Sequence, residues 1–481
     1  MTCSNEISWF KELQASVEER VLTSRYVKVQ VLSVLDVLMT TTYWLVATLT
    51  LINTAPQSVT AVVLALSVAS LLRPVAEPPM NHGVMLLLRT YMRLGRKGAI
   101  RFGKLYWSSV ALNALLAGVV GATLLVSWAV THANVFLWAS MLMLSFMASL
   151  PAQLPALLLD DTAYSRVVLL SNFTRYALLY VMWRSAVDPL SCFESFLIGS
   201  FIALSIGVGY AAWSGIGPRV WDAGEVKNAV KLGMPAWLER VGTTVAKWGA
   251  VTAIVVATYF GLVSPYGPGY VFIALLVGNI ITALLGGWVN IFLIARDNQY
   301  LLPARVVGLA SGTAFPFAVY FTLSTLRMTG DVGSALLAGA LLASLPADLL
   351  GSLLSGKAYA TTMPNGVRVL RMYALAQFLT PLIAYSVYLG SVFTLGRTPT
   401  SIAVPYLAIR LLSLIITRSA SRASLRIIDI VIAGVIPIFL SIGLALTLPR
   451  IYDNVLNVAV LSIVLTLLSY ALVNILGKAS R

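Results

Sequence analysis

The chain has 481 residues, 59% of them hydrophobic and only 11% charged, with 33 Lys and Arg against 18 Asp and Glu for a net charge of +15; its mean hydropathy is +0.87. A soluble domain carries roughly 25% charged residues, so the composition excludes the soluble classes and leaves a multi-pass membrane protein. In that setting the positive charge points to cytoplasmic loops and anionic lipid head groups rather than to nucleic acid, and Cys3, Cys192, His82 and His132 show no disulfide or metal-ligand spacing, so no metal or other cofactor is expected.

Residues 1–26 are polar, with Glu6, Glu12, Glu18 and Glu19. Within 8–22, Trp9, Phe10, Leu13, Val17 and Leu22 line one side, which predicts a cytoplasmic amphipathic helix lying on the membrane surface. The first apolar run, 27–52, is too long for the core of a cleavable signal. A spanning helix takes about 20 mostly apolar residues. By that measure spans are expected near 27–52, 57–77, 104–130, 134–159, 163–183 and 193–214. A further six follow near 231–260, 269–295, 303–327, 333–355, 367–395 and 399–418, and a last pair near 428–449 and 453–477, which makes fourteen.

Lysine and arginine test the topology. With the N-terminus inside, the outer side holds only Arg184, Arg327, Arg397 and Arg450, while Arg175, Arg240, Lys247 and Arg410 sit within spans, so 25 of the 33 bases fall on the inner side. Excess inner charge is the positive-inside pattern. It predicts a cell (cytoplasmic) membrane protein with both termini cytoplasmic and with short outer connections such as 53–57 and 131–134.

The span starts repeat with an offset near two hundred residues. VKVQVLSVLDVLMTT (27–41) and VKLGMPAWLERVGTT (230–244) open the first and seventh spans, and Asp36 falls opposite Glu239. Six spans per unit means that both units run in the same direction. The expected fold is therefore an all-α polytopic membrane protein with two parallel-repeat six-helix lobes. The N-lobe covers 27–214, a cytoplasmic linker 215–230, the C-lobe 231–418, and 419–481 holds the last two spans and a short cytoplasmic tail.

A charge at the centre of a membrane helix costs about 2.5–3.5 kcal/mol on insertion scales and faces a partner or a wet cavity. Asp36 lies about nine residues into its span, hence ~14 Å deep at 1.5 Å per residue. Glu239 and Arg240 lie at matching depth in span seven. Arg175 with Asp36, and Arg410 with Asp348, are the expected intralobe pairs, either architectural or part of a gate. Arg240 and Lys247 share one side of span seven with Ala236 and Thr243. Glu239 neutralises Arg240 at most, which leaves Lys247 without an evident partner, either snorkelling or facing a cavity. Two bases on one such stripe predict an electropositive cavity suited to phosphate or pyrophosphate. The i, i+4 pairs Asp36–Thr40 and Glu239–Thr243 are candidates for a gate or for a sodium or proton site, with membrane potential a further possible driving force, or serve only to lock each lobe. Asp160-Asp161 is read as a helix cap, and 86–104 as a basic amphipathic loop against lipid head groups, with docking of an anionic substrate head as the alternative.

Fourteen spans, cytoplasmic termini, two six-helix lobes and an extra pair resemble the multidrug/oligosaccharidyl-lipid/polysaccharide flippase superfamily. KLGMPAWLERVGTTVAKWG (231–249) and YGPGYVFIALLVGNIITALLGG (266–287) are similar to segments of its polysaccharide-flippase branch. The resemblance implies a V-shaped two-lobe fold and transport, not catalysis, of a polyprenyl-phosphate-linked or pyrophosphate-linked oligosaccharide by alternating access. It also implies substrate-binding bases at Lys28, Arg73, Arg240 and Lys247, although span eight has no in-span base, a departure from the branch's pattern. The competing readings are an ion-coupled multidrug exporter of the same superfamily, a major-facilitator transporter, and a membrane glycan polymerase or glycosyltransferase.

Overall fold

The computed structural model describes residues 21–92, 95–217, 223–294, 301–362, 367–394, 402–421 and 427–479. Of the expected amphipathic segment, residues up to 20 lie outside the described residues, as do 218–222 of the expected linker. The described residues are helical almost throughout, which follows from apolar runs whose backbone groups must be satisfied within one segment.

In chain order the helices are α1 (Val21–Thr54), α2 (Pro56–Ala76), α3 (Pro79–Met92), α4 (Gly95–Thr131), α5 (Asn134–Ser145), α6 (Ser149–Leu157), α7 (Asp161–Trp183) and α8 (Pro189–Trp213). They are followed by α9 (Ala223–Tyr259), α10 (Gly267–Ile294), α11 (Leu302–Thr329), α12 (Val332–Ala343), α13 (Leu345–Thr362), α14 (Val367–Thr394), α15 (Ala403–Ser421), α16 (Ile427–Thr447) and α17 (Val455–Ala479). Each of the fourteen expected spans coincides with a helix or a broken pair of helices. Among the described residues, eleven helical segments are long and apolar enough to cross a membrane; α7, α14 and α15 are the expected spans outside that set.

The connections are set by local chemistry. Asp160, Asp188 and Asp331 cap α7, α8 and α12 by accepting backbone N–H groups of the first turn. Gly330 closes α11 at φ +66, a left-handed conformation that glycine adopts without strain. The segment read as a loop at 86–104 is instead the end of α3 and the start of α4. Leu87, Leu88 and Tyr91 are buried in one cluster with Phe102 and Leu105, so these apolar side chains pack on protein.

The fourth span of each repeat is broken. A single 3-10 turn, Phe146–Ala148, separates α5 from α6, and Ser344 separates α12 from α13. Pro151 and Pro346 stand just after these breaks and have no N–H to donate one turn back. Asn113 Nδ2 donates to the Phe146 carbonyl at 3.1 Å and so serves a backbone group at the first break.

The chain divides into two compact units, one of residues up to Tyr43 with Asn53–Val241, the other of Trp44–Ile52 with Gly242 onward. One boundary between them falls inside α9, between Val241 and Gly242. In the first unit α7 packs on α8, and α5 on α2 and α4. In the second unit α11 is the hub for α10, α12, α13, α16 and α17. A Cβ on Gly312 would lie 2.6 Å from the Thr466 Cα, so the terminal helix α17 lies backbone-close against α11. Arg305 Nη2 donates to Asn474 Oδ1 at 2.8 Å across the same pair.

Candidate functional site: buried charge clusters

The first cluster belongs to the first unit. Arg73 is in the last turn of α2, and Glu77 follows it, its backbone N–H bonded to the Arg73 carbonyl at 2.9 Å. This turn folds the Glu77 side chain inward, where it is buried. Arg73 contacts Glu77 Oε1 at 2.9 Å through both Nε and Nη2. Arg240 Nη2 meets Oε2 at 2.7 Å. One acid thus holds two guanidiniums, each 39% exposed, and the cluster keeps a formal charge of +1.

Glycines bring α9 to this place. A Cβ on Gly83 would sit 2.1 Å from the Ala229 carbonyl oxygen, and one on Gly233 only 1.9 Å from that of Pro79. The backbones of α3 and α9 touch there because neither residue has a side chain. Trp237 Nε1 then donates to the Pro74 carbonyl at 2.9 Å, and Arg240, three residues on, reaches Glu77. Beside the ion pair is a small pocket of about 20 Å³ lined by Glu77, Asn81, His82, Gln153 and Arg240 among others, which is room for about one water. His82 Nε2 is buried there without a hydrogen-bond partner. Burial, and then the Arg240 charge, push its pKa down to about 4, so His82 is neutral.

The second cluster, also in the first unit, joins α1, α7 and α8. Arg175 is buried. Its Nη1 donates to Thr40 Oγ1 at 3.1 Å and to Asn172 Oδ1 at 3.0 Å, and its Nη2 to Ser200 Oγ at 3.1 Å. Its guanidinium lies over the Phe196 ring at 4.2 Å. Asp36 Oδ1 accepts from Asn172 Nδ2 at 2.8 Å. The expected Asp36–Arg175 ion pair is therefore mediated: Asn172 stands between them, offering its amide N–H to the acid and its carbonyl to the base. Gly199 makes room, since a Cβ there would lie 2.4 Å from the Arg175 Cγ.

The third cluster lies in the second unit. Asp348 Oδ1 accepts from Arg410 Nε at 2.6 Å and also contacts its Nη2. Lys247 Nζ stands 3.1 Å from Asp348 Oδ2. The Asp348–Arg410 pair is as expected. The expectation that Lys247 lacks a partner is corrected: one carboxylate has two oxygens, and Asp348 gives one to each base. The formal charge is again +1.

The four bases expected to bind substrate each have a carboxylate partner. Arg73 and Arg240 share Glu77, Lys247 is on Asp348, and Lys28, 62% exposed, pairs with Asp161 at 3.5 Å, a surface contact of little energetic weight. Arg240 takes Glu77 as a carboxylate partner, which counting in-span acids omits. Glu239 and Thr243, expected at a gate, lie on α9 flanking Arg240. The sequence also carries a short internal repeat at the helix breaks. Ala148–Leu154 reads ASLPAQL and Ala343–Leu349 reads ASLPADL. The two heptapeptides overlap the two helix breaks and put Gln153 beside the first pocket and Asp348 in the third cluster.

No protein-family model matches the sequence, and none of the curated proteins compared does. Solved structures do match in fold. A transporter of the MOP (multidrug/oligosaccharidyl-lipid/polysaccharide) superfamily from Pyrococcus furiosus, described as having a binding pocket of reverse polarity, superposes with TM-score 0.54 at 13% identity, covering 87% of this chain and 96% of that one. A multidrug resistance MATE family transporter in an outward-facing conformation gives 0.54 at 13%, covering 83% and 95%. The lipid II flippase MurJ in an inward closed conformation gives 0.54 at 12%, covering 96% and 99%. The chain therefore has the fold of the MOP superfamily transporters.

Proposed function

We propose that this protein flips a polyprenyl-phosphate-linked or pyrophosphate-linked oligosaccharide across the cytoplasmic membrane by alternating access, acting as a transporter and not as an enzyme. The observation that carries this reading is the convergence of Arg73 and Arg240 on Glu77. Two part-exposed guanidiniums converge on one buried acid, and the planar N–H fork of arginine is the complement of a phosphate oxyanion. Lys247 beside Asp348 and Arg410 supplies a second centre of the same sign. Likeness to a lipid II flippase supports the reading, but the same fold also serves a multidrug transporter, and function is argued from the site and not from the fold.

A second reading, ion-coupled export of a drug-like cation, rests on Asp36, whose Oδ1 is held by Asn172 beside Thr40. In that reading Asp36 carries the driving sodium ion or proton. One experiment separates the two. Vesicles holding the purified protein are loaded with a polyprenyl pyrophosphate oligosaccharide, and the glycan reaching the opposite leaflet is measured. Flipping that is lost in R73Q and R240Q supports the first reading. Flipping untouched in both, with cation export lost in D36N, supports the second and removes the first.

A further inference from the structure

Away from the charge clusters, the N-terminal turn of α7 and the C-terminal turn of α8 enclose a groove of about 560 Å³. Thr162 and Arg166 line it from α7, and Ile206, Gly209, Tyr210 and Trp213 from α8. Its floor is open at Gly209, where an added Cβ would meet nothing within 4 Å. Trp213 is 79% exposed and forms one wall. Tyr210 donates its hydroxyl to Asp160 Oδ2 at 3.1 Å, and Asp160 Oδ1 also caps the Ala163 N–H at 2.8 Å. Both oxygens of that acid are therefore engaged. Arg166 is exposed and makes no ion pair with any described residue.

The groove continues an apolar surface. On α7, Leu170 and Phe173 follow Arg166 at helical spacing and are 50% and 70% exposed. On α8, Phe201 is exposed on the turns leading to Gly209 and Trp213. In a membrane helix such a stripe faces acyl chains. It ends, at the helix termini, in the Arg166 guanidinium, a threonine hydroxyl and an indole, the residue types that settle at the head-group level.

We propose that this groove holds an anionic glycerophospholipid. An acyl chain runs over Gly209 between Ile206 and Trp213. The phosphate lies against the Arg166 guanidinium, which as a fork of N–H donors matches phosphate oxygens. A zwitterionic lipid of the same chain length fills the groove equally but brings its own cation, so the charge selects the anionic head group.

The test is native mass spectrometry of the purified full chain released from mixed micelles containing equal amounts of phosphatidylglycerol and phosphatidylcholine. Wild-type protein retains phosphatidylglycerol about fivefold over phosphatidylcholine, the preference that one basic residue near an anionic head group supports. R166Q removes the charge, and G209L fills the groove while keeping it. R184Q removes an exposed arginine at the opposite end of α7 and serves as control. Loss of the preference in R166Q and in G209L but not in R184Q supports the site. A preference that survives in both R166Q and G209L, or that falls equally in R184Q, overturns it. If either groove variant is not recovered in folded form, the other decides by the same criterion.

Discussion

Arg240 and Glu77 meet at 2.7 Å although they are 163 residues apart in sequence, and Arg73 holds the other oxygen of the same carboxylate. The two arginines are therefore not equivalent to the acid. Removing one base leaves a balanced pair, whereas removing the acid leaves two like charges beside each other. We expect R240Q to keep its melting temperature in detergent within about 2 °C of wild type. E77Q is expected to lose stability by about 1–3 kcal/mol, because the two arginines it strands are part-exposed and screened by solvent. Thermal unfolding of the two variants side by side checks this. Equal melting temperatures contradict it.

Asp348 gives the corresponding expectation in the second unit. D348N strands Lys247 and Arg410 together and is expected to destabilise by about 3 kcal/mol. The double variant D348N/K247M removes one stranded charge and recovers part of that loss. A double-mutant cycle on Lys247 and Asp348 should give a coupling of about 1 kcal/mol or more. A coupling near zero contradicts the contact.

The glycine contacts of α3 with α9 are testable sterically. G83A and G233A each place a methyl group against a backbone carbonyl that the surrounding helices hold in place. Each should cost about 1–3 kcal/mol and weaken the docking of Arg240. G118A, on α4 with open space around it, should be neutral or slightly stabilising, because alanine favours helix more than glycine does. Melting temperatures of the three, with membrane yield, decide the matter.

His82 makes stability depend on pH in a defined direction. Its pKa is about 4 in the folded protein against an ordinary 6.5, so between those values the unfolded chain binds the proton that the folded one refuses. Its contribution is complete above pH 6.5 and is lost as pH falls toward 4. The size is about 3 kcal/mol, at 1.36 kcal/mol per unit of displacement. H82Q should flatten this part of the stability profile between pH 7 and 4.5. An unchanged slope in H82Q places the titration elsewhere.

Hydropathy made the spans legible, because a membrane helix declares itself in a run of about 20 apolar residues. Charge partners were less legible. Glu77 falls on the last residue of its expected span, where counting along the helix puts a side chain into head-group water. The closing turn of α2 brings it inward instead. Asn172 was equally hidden, because a neutral amide carries no charge for the bookkeeping to count, although it joins Asp36 to Arg175. Lys247 looked stranded because each acid was matched to one base. The ASLPA(Q/D)L repeat is visible in the sequence, and its meaning depends on the helix breaks that it overlaps.

The central claim is that Arg73 and Arg240, which converge on Glu77, bind the phosphate of a lipid-linked glycan. Its most direct test is the dissociation constant of a polyprenyl pyrophosphate oligosaccharide, measured for wild type, R73Q and R240Q under conditions where all three are folded. Loss of one charge-assisted hydrogen-bonding partner, worth about 1.5–3 kcal/mol, predicts affinity weakened by about tenfold to a hundredfold in each variant, with affinity for the uncharged polyprenol unaltered. Equal affinity of all three proteins for the pyrophosphate lipid would contradict the claim.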